Sequence, residues 1–198
     1  MSRLLLIGSA NPDKAAELGE LLDPLPWDIR RLTDFPEVPE PHEHGDTFRA
    51  NALEKAAYYS RRFNVWCVAD DSGLVVDALD GAPGVFSARY AGEGCTYAQN
   101  NAKLLAALAA VDDADRTARF VCCAAVVSLD GHAHTEEGVV EGHITLQPRG
   151  AGGFGYDPVF VPAGYDKTFA ELGPSVKRRI SHRARAFKQL KWYLGSLT

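Results

Sequence analysis

The amino-acid sequence predicts an α/β fold built on a long mixed β-sheet flanked by helices, divided into two lobes with a cleft between them. Three observations predict it. Short apolar runs rich in β-branched and aromatic residues, such as residues 65–69, alternate with stretches whose apolar residues recur at helical spacing. Residues 120–129 are apolar at nearly every position, as a strand covered on both faces requires. The chain also opens on strand, small-residue turn and helix in succession, the unit from which α/β sheets are assembled.

Residues 4–7 read as a buried first strand, broken at Gly8-Ser9-Ala10-Asn11-Pro12. A helix follows over 13–22, with Ala15, Leu18 and Leu22 on one face. Residues 23–46 are irregular and rich in Pro, Asp and Glu, with a strand near 27–32. Asp46 or Thr47 caps the next helix, which runs to about Arg62. The strand at 65–69 ends at Asp70-Asp71 and a glycine turn, and 74–79 forms a second short strand before the turn Asp80-Gly81-Ala82-Pro83-Gly84. Residues 94–110 form a helix that buries Leu104, Leu105 and Leu108. After the central strand, Asp130-Gly131 reverses the chain into a strand around 135–140, and a third segment at 142–147 pairs with these. A last helix occupies 177–197, with Ile180, Ala184, Phe187, Leu190 and Leu194 along one face.

A length of 198 residues suits a single domain spanning 1–198, with a sizeable core. Hydrophobic residues at 46% and charged residues at 24% are ordinary globular values. A formal net charge of −5 argues against a nucleic-acid coat or a membrane-surface protein, both of which need a basic face. It leaves room for an anionic small ligand. The first eight residues are too short for a signal peptide, and no apolar run approaches membrane-spanning length, so the expected compartment is the cytoplasm. None of the four cysteines sits at zinc-ligand spacing, and Cys67, Cys122 and Cys123 read as small buried hydrophobes.

Four segments bear on chemistry. Asp70 and Asp71 supply oxygens of the kind Mg²⁺ prefers, although an Asp-Asp pair is equally at home in a turn. Lys14 stands in the first turn of a helix, where the dipole disfavours a cation; either an anion binds beside it or it is a solvated lysine. Gly152-Gly153-Phe154-Gly155-Tyr156-Asp157-Pro158 combines close backbone approach with aromatic surface for a base, or is a glycine turn with two core aromatics. Lys177 and the run Ile180-Ser181-His182-Arg183-Ala184-Arg185 place cations at the expected start of the last helix, for a polyanion or for surface acids. Glu43 offers a second carboxylate for a cation held by Asp70 or Asp71. Together these parts describe a nucleoside triphosphate site.

The same residues resemble the inosine triphosphate pyrophosphatases, enzymes that hydrolyse non-standard purine nucleoside triphosphates. The matching blocks are Ser9-Ala10-Asn11 with Lys14, Gly45-Asp46-Thr47-Phe48 with Asn51-Ala52 and Lys55-Ala56, and Ala69-Asp70-Asp71-Ser72-Gly73-Leu74. Gly81-Ala82-Pro83-Gly84 with Ser87-Ala88-Arg89-Tyr90, Gly153-Phe154-Gly155-Tyr156-Asp157-Pro158 and Ile180-Ser181-His182-Arg183 complete them over nearly the whole chain. The resemblance implies an elongated fold with a central active-site cleft, a homodimer, and Mg²⁺-dependent cleavage of ITP, dITP or XTP between the α and β phosphates. It implies Asp71 as catalytic base and metal ligand, Glu43 as the second metal carboxylate, and Asp70 in support. Ser9, Asn11 and Lys14 would hold the triphosphate, and Ser72 and Lys177 would contact substrate. Phe154 would stack on the base, with Gly155, Tyr156 and Asp157 shaping its pocket. His182 and Arg183 would read the 6-keto oxygen, which an adenine amino group cannot replace without leaving donors unsatisfied. A related pyrophosphatase of the Maf type, preferring pyrimidine or modified nucleotides, and a nucleotide sensor without turnover are the alternatives.

Overall fold

Leu5 and Ile7 on one side and Leu6 on the other give β1 (Arg3–Ile7) two buried faces, so the strand lies inside the sheet rather than at its edge. The structure, a computed structural model, describes residues 3–197. Asn11 caps α1 (Pro12–Leu22), and Pro12 sits at its start, where a missing N–H leaves no bond unmade. The face Ala15, Leu18 and Leu22 is buried, as its spacing predicts. β2 (Trp27–Arg31) then pairs parallel to β1, with Leu5 beside Ile29. Thr47 caps α2 (Phe48–Phe63), and Asn64 ends it in the left-handed conformation. β3 (Trp66–Val76) pairs parallel to β1 with Leu6 beside Cys67.

α3 (Tyr97–Ala107), β4 (Thr117–Val127), β5 (Ala133–Ile144), β6 (Phe160–Pro162), α4 (Phe169–Leu172), α5 (Pro174–Ile180) and α6 (His182–Ser196) follow. The sheet order is β2-β1-β3-β4-β5-β6, parallel through β2, β1 and β3 and antiparallel at β5 and β6, so the sheet is mixed. No helix among the described residues is long and apolar enough to cross a membrane.

The chain divides into two compact units. The first takes the chain up to Asp71, Cys122–Gly138 and the chain from Arg183 onward. Strand alternation splits its core in two. Leu5, Ile7, Val68, Cys122, Ala124 and Val126 pack with α1 and α6, whereas Ala69, Cys123, Ala125 and Val127 pack with Ala52 and Ala56 of α2. Burial pushes the Cys67 and Cys122 thiols well above their ordinary range and Cys123 to about 11, which suits their reading as inert core residues. The second unit takes Ser72–Val121 and Val139–His182, and its core centres on Leu74, Leu104, Leu108, Phe120, Phe160 and Phe169.

Four elements differ from the sequence-based expectation. β3 does not stop before the acids; it runs as one strand through Asp70, Asp71, Ser72 and Gly73, and no turn separates it from Leu74. The reason is that both carboxylates find polar partners above and below the sheet, so neither forces the strand to end. The segment 142–147 is not a separate strand, because β5 continues to Ile144 and Phe160–Pro162 supplies the pairing partner. The helix expected over 94–110 begins only at Tyr97, where Thr96 and Gln99 form a capping box. The last helix is two, α5 and α6, separated by Ser181 in an extended conformation. Lys177 therefore lies in the last turn of α5, where the dipole favours a cation, and not at the start of a helix.

Candidate active site

Alternation along β3 sends its two acids to opposite faces. Asp70 points with Val68 toward α1 and α6. Its Oδ2 lies 3.2 Å from Arg183 Nε and 3.5 Å from Lys14 Nζ, and Arg183 Nη1 donates to Glu17 Oε2 at 2.5 Å. Asp70 and Arg183 are only 1% and 2% exposed, so this is a buried ion-pair network joining α1, β3 and α6. Asp71 points with Ala69 toward α2, where Asn51 Nδ2 donates to its Oδ2 at 3.1 Å.

The first turns of α2 build the rest of this face. Lys55 lies one turn beyond Asn51; its Nζ pairs with Glu43 Oε1 at 2.7 Å and donates to the Asp70 carbonyl at 3.0 Å. Burial works against the Lys55 ammonium, but the charges of Glu43, Asp71 and Asp70 outweigh it and hold its pKa above that of an ordinary lysine. Burial raises the Asp71 pKa; Lys14 and Lys55 oppose the rise, and the Glu43 charge adds to it. Glu43 and Asp71 thus repel one another electrostatically, and a cation between two such carboxylates would relieve the repulsion. Among the described residues no three His, Cys, Asp or Glu side chains gather as a metal-binding group. Mg²⁺ needs no such cage, since it commonly takes one or two carboxylates and completes its shell with water and phosphate oxygens. The donor set fits.

Ser9 is buried just past β1, and at the start of α1 Asn11 Oδ1 accepts from the Asp13 and Lys14 N–H groups at 2.9 and 3.2 Å. The Asn11 oxygen therefore serves the helix cap, while Lys14 extends to Asp70.

The second unit holds the aromatic loop. Asp157 Oδ2 accepts from the Phe154 N–H at 2.9 Å and from Lys177 Nζ at 2.6 Å, and the Lys177 ammonium stands 4.1 Å from the Phe154 ring centroid. Gly153 is required here: its φ is +73°, and a Cβ would meet Asp157 Oδ2 at 2.2 Å. Asn101 Nδ2 holds the loop from α3 by donating to the Gly155 carbonyl at 3.0 Å. Phe154 is half-buried beside Tyr97, with ring centroids 6.0 Å apart. Tyr156 belongs to the core, its hydroxyl donating to the Ser87 carbonyl at 2.9 Å. His182 is buried with its ring stacked on Phe120, centroids 4.6 Å apart. Ser72 follows Asp71 on β3 and is half-buried.

The structure thus brings together Asp70, Lys14 and Arg183 on one face of β3, Asp71 near Glu43 on the other, and Phe154, Asp157 and Lys177 in the loop of the second unit. Sequence reasoning gave no role to Asn51, Lys55, Glu17 or Asn101. Asn51 and Lys55 had a readable signal, polar residues at i and i+4 just after a capped helix start. Glu17 and Asn101 had none.

The pattern of the Ham1 family matches residues 5–193. The dITP/XTP pyrophosphatase of Geobacter sulfurreducens is 47% identical over 191 residues, which cover 96% of each chain. A HAM1 protein from Coxiella burnetii has a similar structure, with a TM-score of 0.89 at 42% identity, covering 98% of this chain and 99% of that one. The nucleoside-triphosphatase / dITP/XTP pyrophosphatase of Mycobacterium abscessus gives a TM-score of 0.77 at 46% identity, covering 94% of this chain and 97% of that one.

Proposed function

From the premise that this chain belongs to the Ham1 family, we propose that it hydrolyses dITP, XTP and ITP to the nucleoside monophosphate and pyrophosphate. Deaminated purines are thereby removed from the nucleotide pool. The observation that carries the reading is Asp71, a buried strand carboxylate whose charge is balanced by Lys14 and Lys55 and opposed by Glu43.

In the proposed reaction a water oxygen bonds to the α-phosphorus and the bond to the α–β bridging oxygen breaks. The leaving pyrophosphate takes that bond's electron pair. Asp71 accepts the water's proton at a carboxylate oxygen, a task suited by a pKa raised through burial. Glu43 and Asp71 would hold a divalent cation, Mg²⁺ in our reading, which when bound neutralises charge on the phosphate oxygens. Ser9, Asn11 and Lys14 hold the triphosphate, with Ser72 beside it. Phe154 stacks on the base within the loop shaped by Gly155, Tyr156 and Asp157, and Lys177 fixes that loop. His182 and Arg183, the first two residues of α6, read the 6-keto oxygen. The two units act as lobes of one catalytic domain over 1–198, the protein works as a homodimer, and the cytoplasm, where free nucleotides are kept, is its compartment. No nucleic acid or membrane partner is part of the reading.

The test is pyrophosphate release from ITP, dITP, XTP, ATP, GTP, dUTP and TTP, with Mg²⁺ and with chelator. Metal-dependent release from the first three supports the reading, and release mainly from pyrimidine substrates overturns it.

A further inference from the structure

We propose that Asn51 is a positioning residue that locks the Glu43 loop to the Asp71 carboxylate and so sets the arrangement of the two acids toward a divalent cation. The inference deepens the pyrophosphatase reading and rests on it for the identity of the acids as cation ligands.

Asn51 is 3% exposed and sits in the first turns of α2, a place where asparagine is a poor helix former. Its side chain works at both ends. Oδ1 accepts from the Gly45 N–H at 2.8 Å, and Nδ2 donates to Asp71 Oδ2 at 3.1 Å. The orientation of the amide is forced, because a backbone N–H needs an acceptor and a carboxylate needs a donor. Reversing it would break both bonds. A planar group held at two ends fixes the plane of the Asp71 carboxylate relative to the loop two residues past Glu43. An aspartate at this place would set a second carboxylate against Asp71.

Gly45 closes the arrangement. A Cβ there would lie 2.7 Å from Asn51 Oδ1 and 2.6 Å from the Ala50 Cβ, so only glycine lets the loop backbone approach the amide. Lys55, bonded to Glu43, holds the same loop by charge, whereas the Asn51 bridge holds it by direction. Partners of this kind orient metal ligands, and their removal weakens metal binding by about 10- to 100-fold.

The experiment uses the full chain as wild type, Asn51→Ala and Gly45→Ala, with Mn²⁺ as the probe. Mn²⁺ affinity is measured by electron paramagnetic resonance without nucleotide, alongside melting temperature and the Mg²⁺ concentration for half-maximal turnover. In both variants Mn²⁺ affinity should fall about 10-fold or more, with half-maximal Mg²⁺ rising in step and turnover largely recovered at saturating Mg²⁺. A lowered melting temperature with Mn²⁺ affinity within twofold of wild type overturns the proposal, since that is what a purely structural asparagine would do. Should Asn51→Ala not fold, Gly45→Ala decides by the same criterion. If the wild type turns over no nucleotide, the Mn²⁺ affinities still decide on Asn51 while the functional reading falls. A wild type that binds no Mn²⁺ overturns the proposal whatever its turnover.

Discussion

Lys177 and Asp157 form a buried ion pair, with Nζ 2.6 Å from Oδ2, and through it one carboxylate oxygen governs both the turn at Phe154 and the cation over the Phe154 ring. Lys177 and Asp157 are 6% and 2% exposed, so neither can lose its partner to water without cost. The aromatic face proposed for the purine therefore depends on a salt bridge beneath it.

Removing that support should act on substrate binding. Phe154→Ala should raise KM for dITP by about 5- to 150-fold, the value of one base–aromatic stack, with kcat much less affected. Lys177→Met should raise KM in the same direction and also lower the melting temperature, because it strands the Asp157 charge. Steady-state kinetics on dITP with a thermal melt separate the two, and an unchanged KM in Phe154→Ala would place the base elsewhere.

Asp71→Asn keeps the shape of the side chain and removes its charge. Turnover of dITP should fall by about 10²- to 10⁴-fold, the usual contribution of a general base. Nucleotide binding measured calorimetrically should persist. Full activity in this variant would falsify the assignment of Asp71.

Arg183→Ala leaves Asp70 buried without its guanidinium partner. A loss of about 3–5 kcal/mol is expected, as for other broken buried pairs, and denaturant unfolding checks it. Arg183→Lys keeps the charge and should lose less. This folded variant is the one in which to measure ITP-over-ATP preference, which should decline if the proposed 6-keto readout involves the guanidinium.

Acid titration probes a surface group of the second unit. Asp77 accepts from Thr117 Oγ1 at 2.7 Å and from Arg119 Nη1 at 2.8 Å, and these hydrogen bonds hold its carboxyl below the ordinary carboxylate value. A depressed folded pKa stabilises the native state above the unfolded value of about 3.9, and the gain disappears as pH falls through the lower folded value. Asp77→Asn should therefore melt earlier than wild type at pH 7, with the gap closing as pH falls below the ordinary carboxylate range. A gap that stays constant down to pH 2 would mean the carboxylate charge is not what these bonds serve.

Much of the first unit could be read from local pattern. α1 and α2 carry their own caps and β1 and β2 their own apolar residues, and all four lie where those signals put them. What escaped was decided by partners remote in sequence. The strand through Asp70 and Asp71 survives because Lys14, Arg183 and Asn51 meet the charges, and no window around residue 70 contains any of them. β6 is three residues long and offers no period to detect. The break at Ser181 lies inside an apolar pattern that runs across it without interruption. Among the site residues, types and segments were readable, whereas Asn51 as the link between two of them required the fold.

The parity of β3 has a consequence for how this chain can vary. A strand turns successive side chains to alternate sides, so the count of residues from Trp66 decides which acid faces α2 and which faces α1. Deleting one residue among Cys67, Val68 and Ala69 would exchange the faces of the two acids while leaving both aspartates in the sequence. The ion-paired position would receive Asp71, the reactive position would receive Ser72, and Asp70 would fall where Ala69 stands, on the α2 side but two residues short. Deleting two would restore the sidedness but pull both acids along the strand, away from Asn51 and Arg183. In this segment a change of length is more damaging than most changes of residue, and spacing is as much a part of the site as the aspartates themselves.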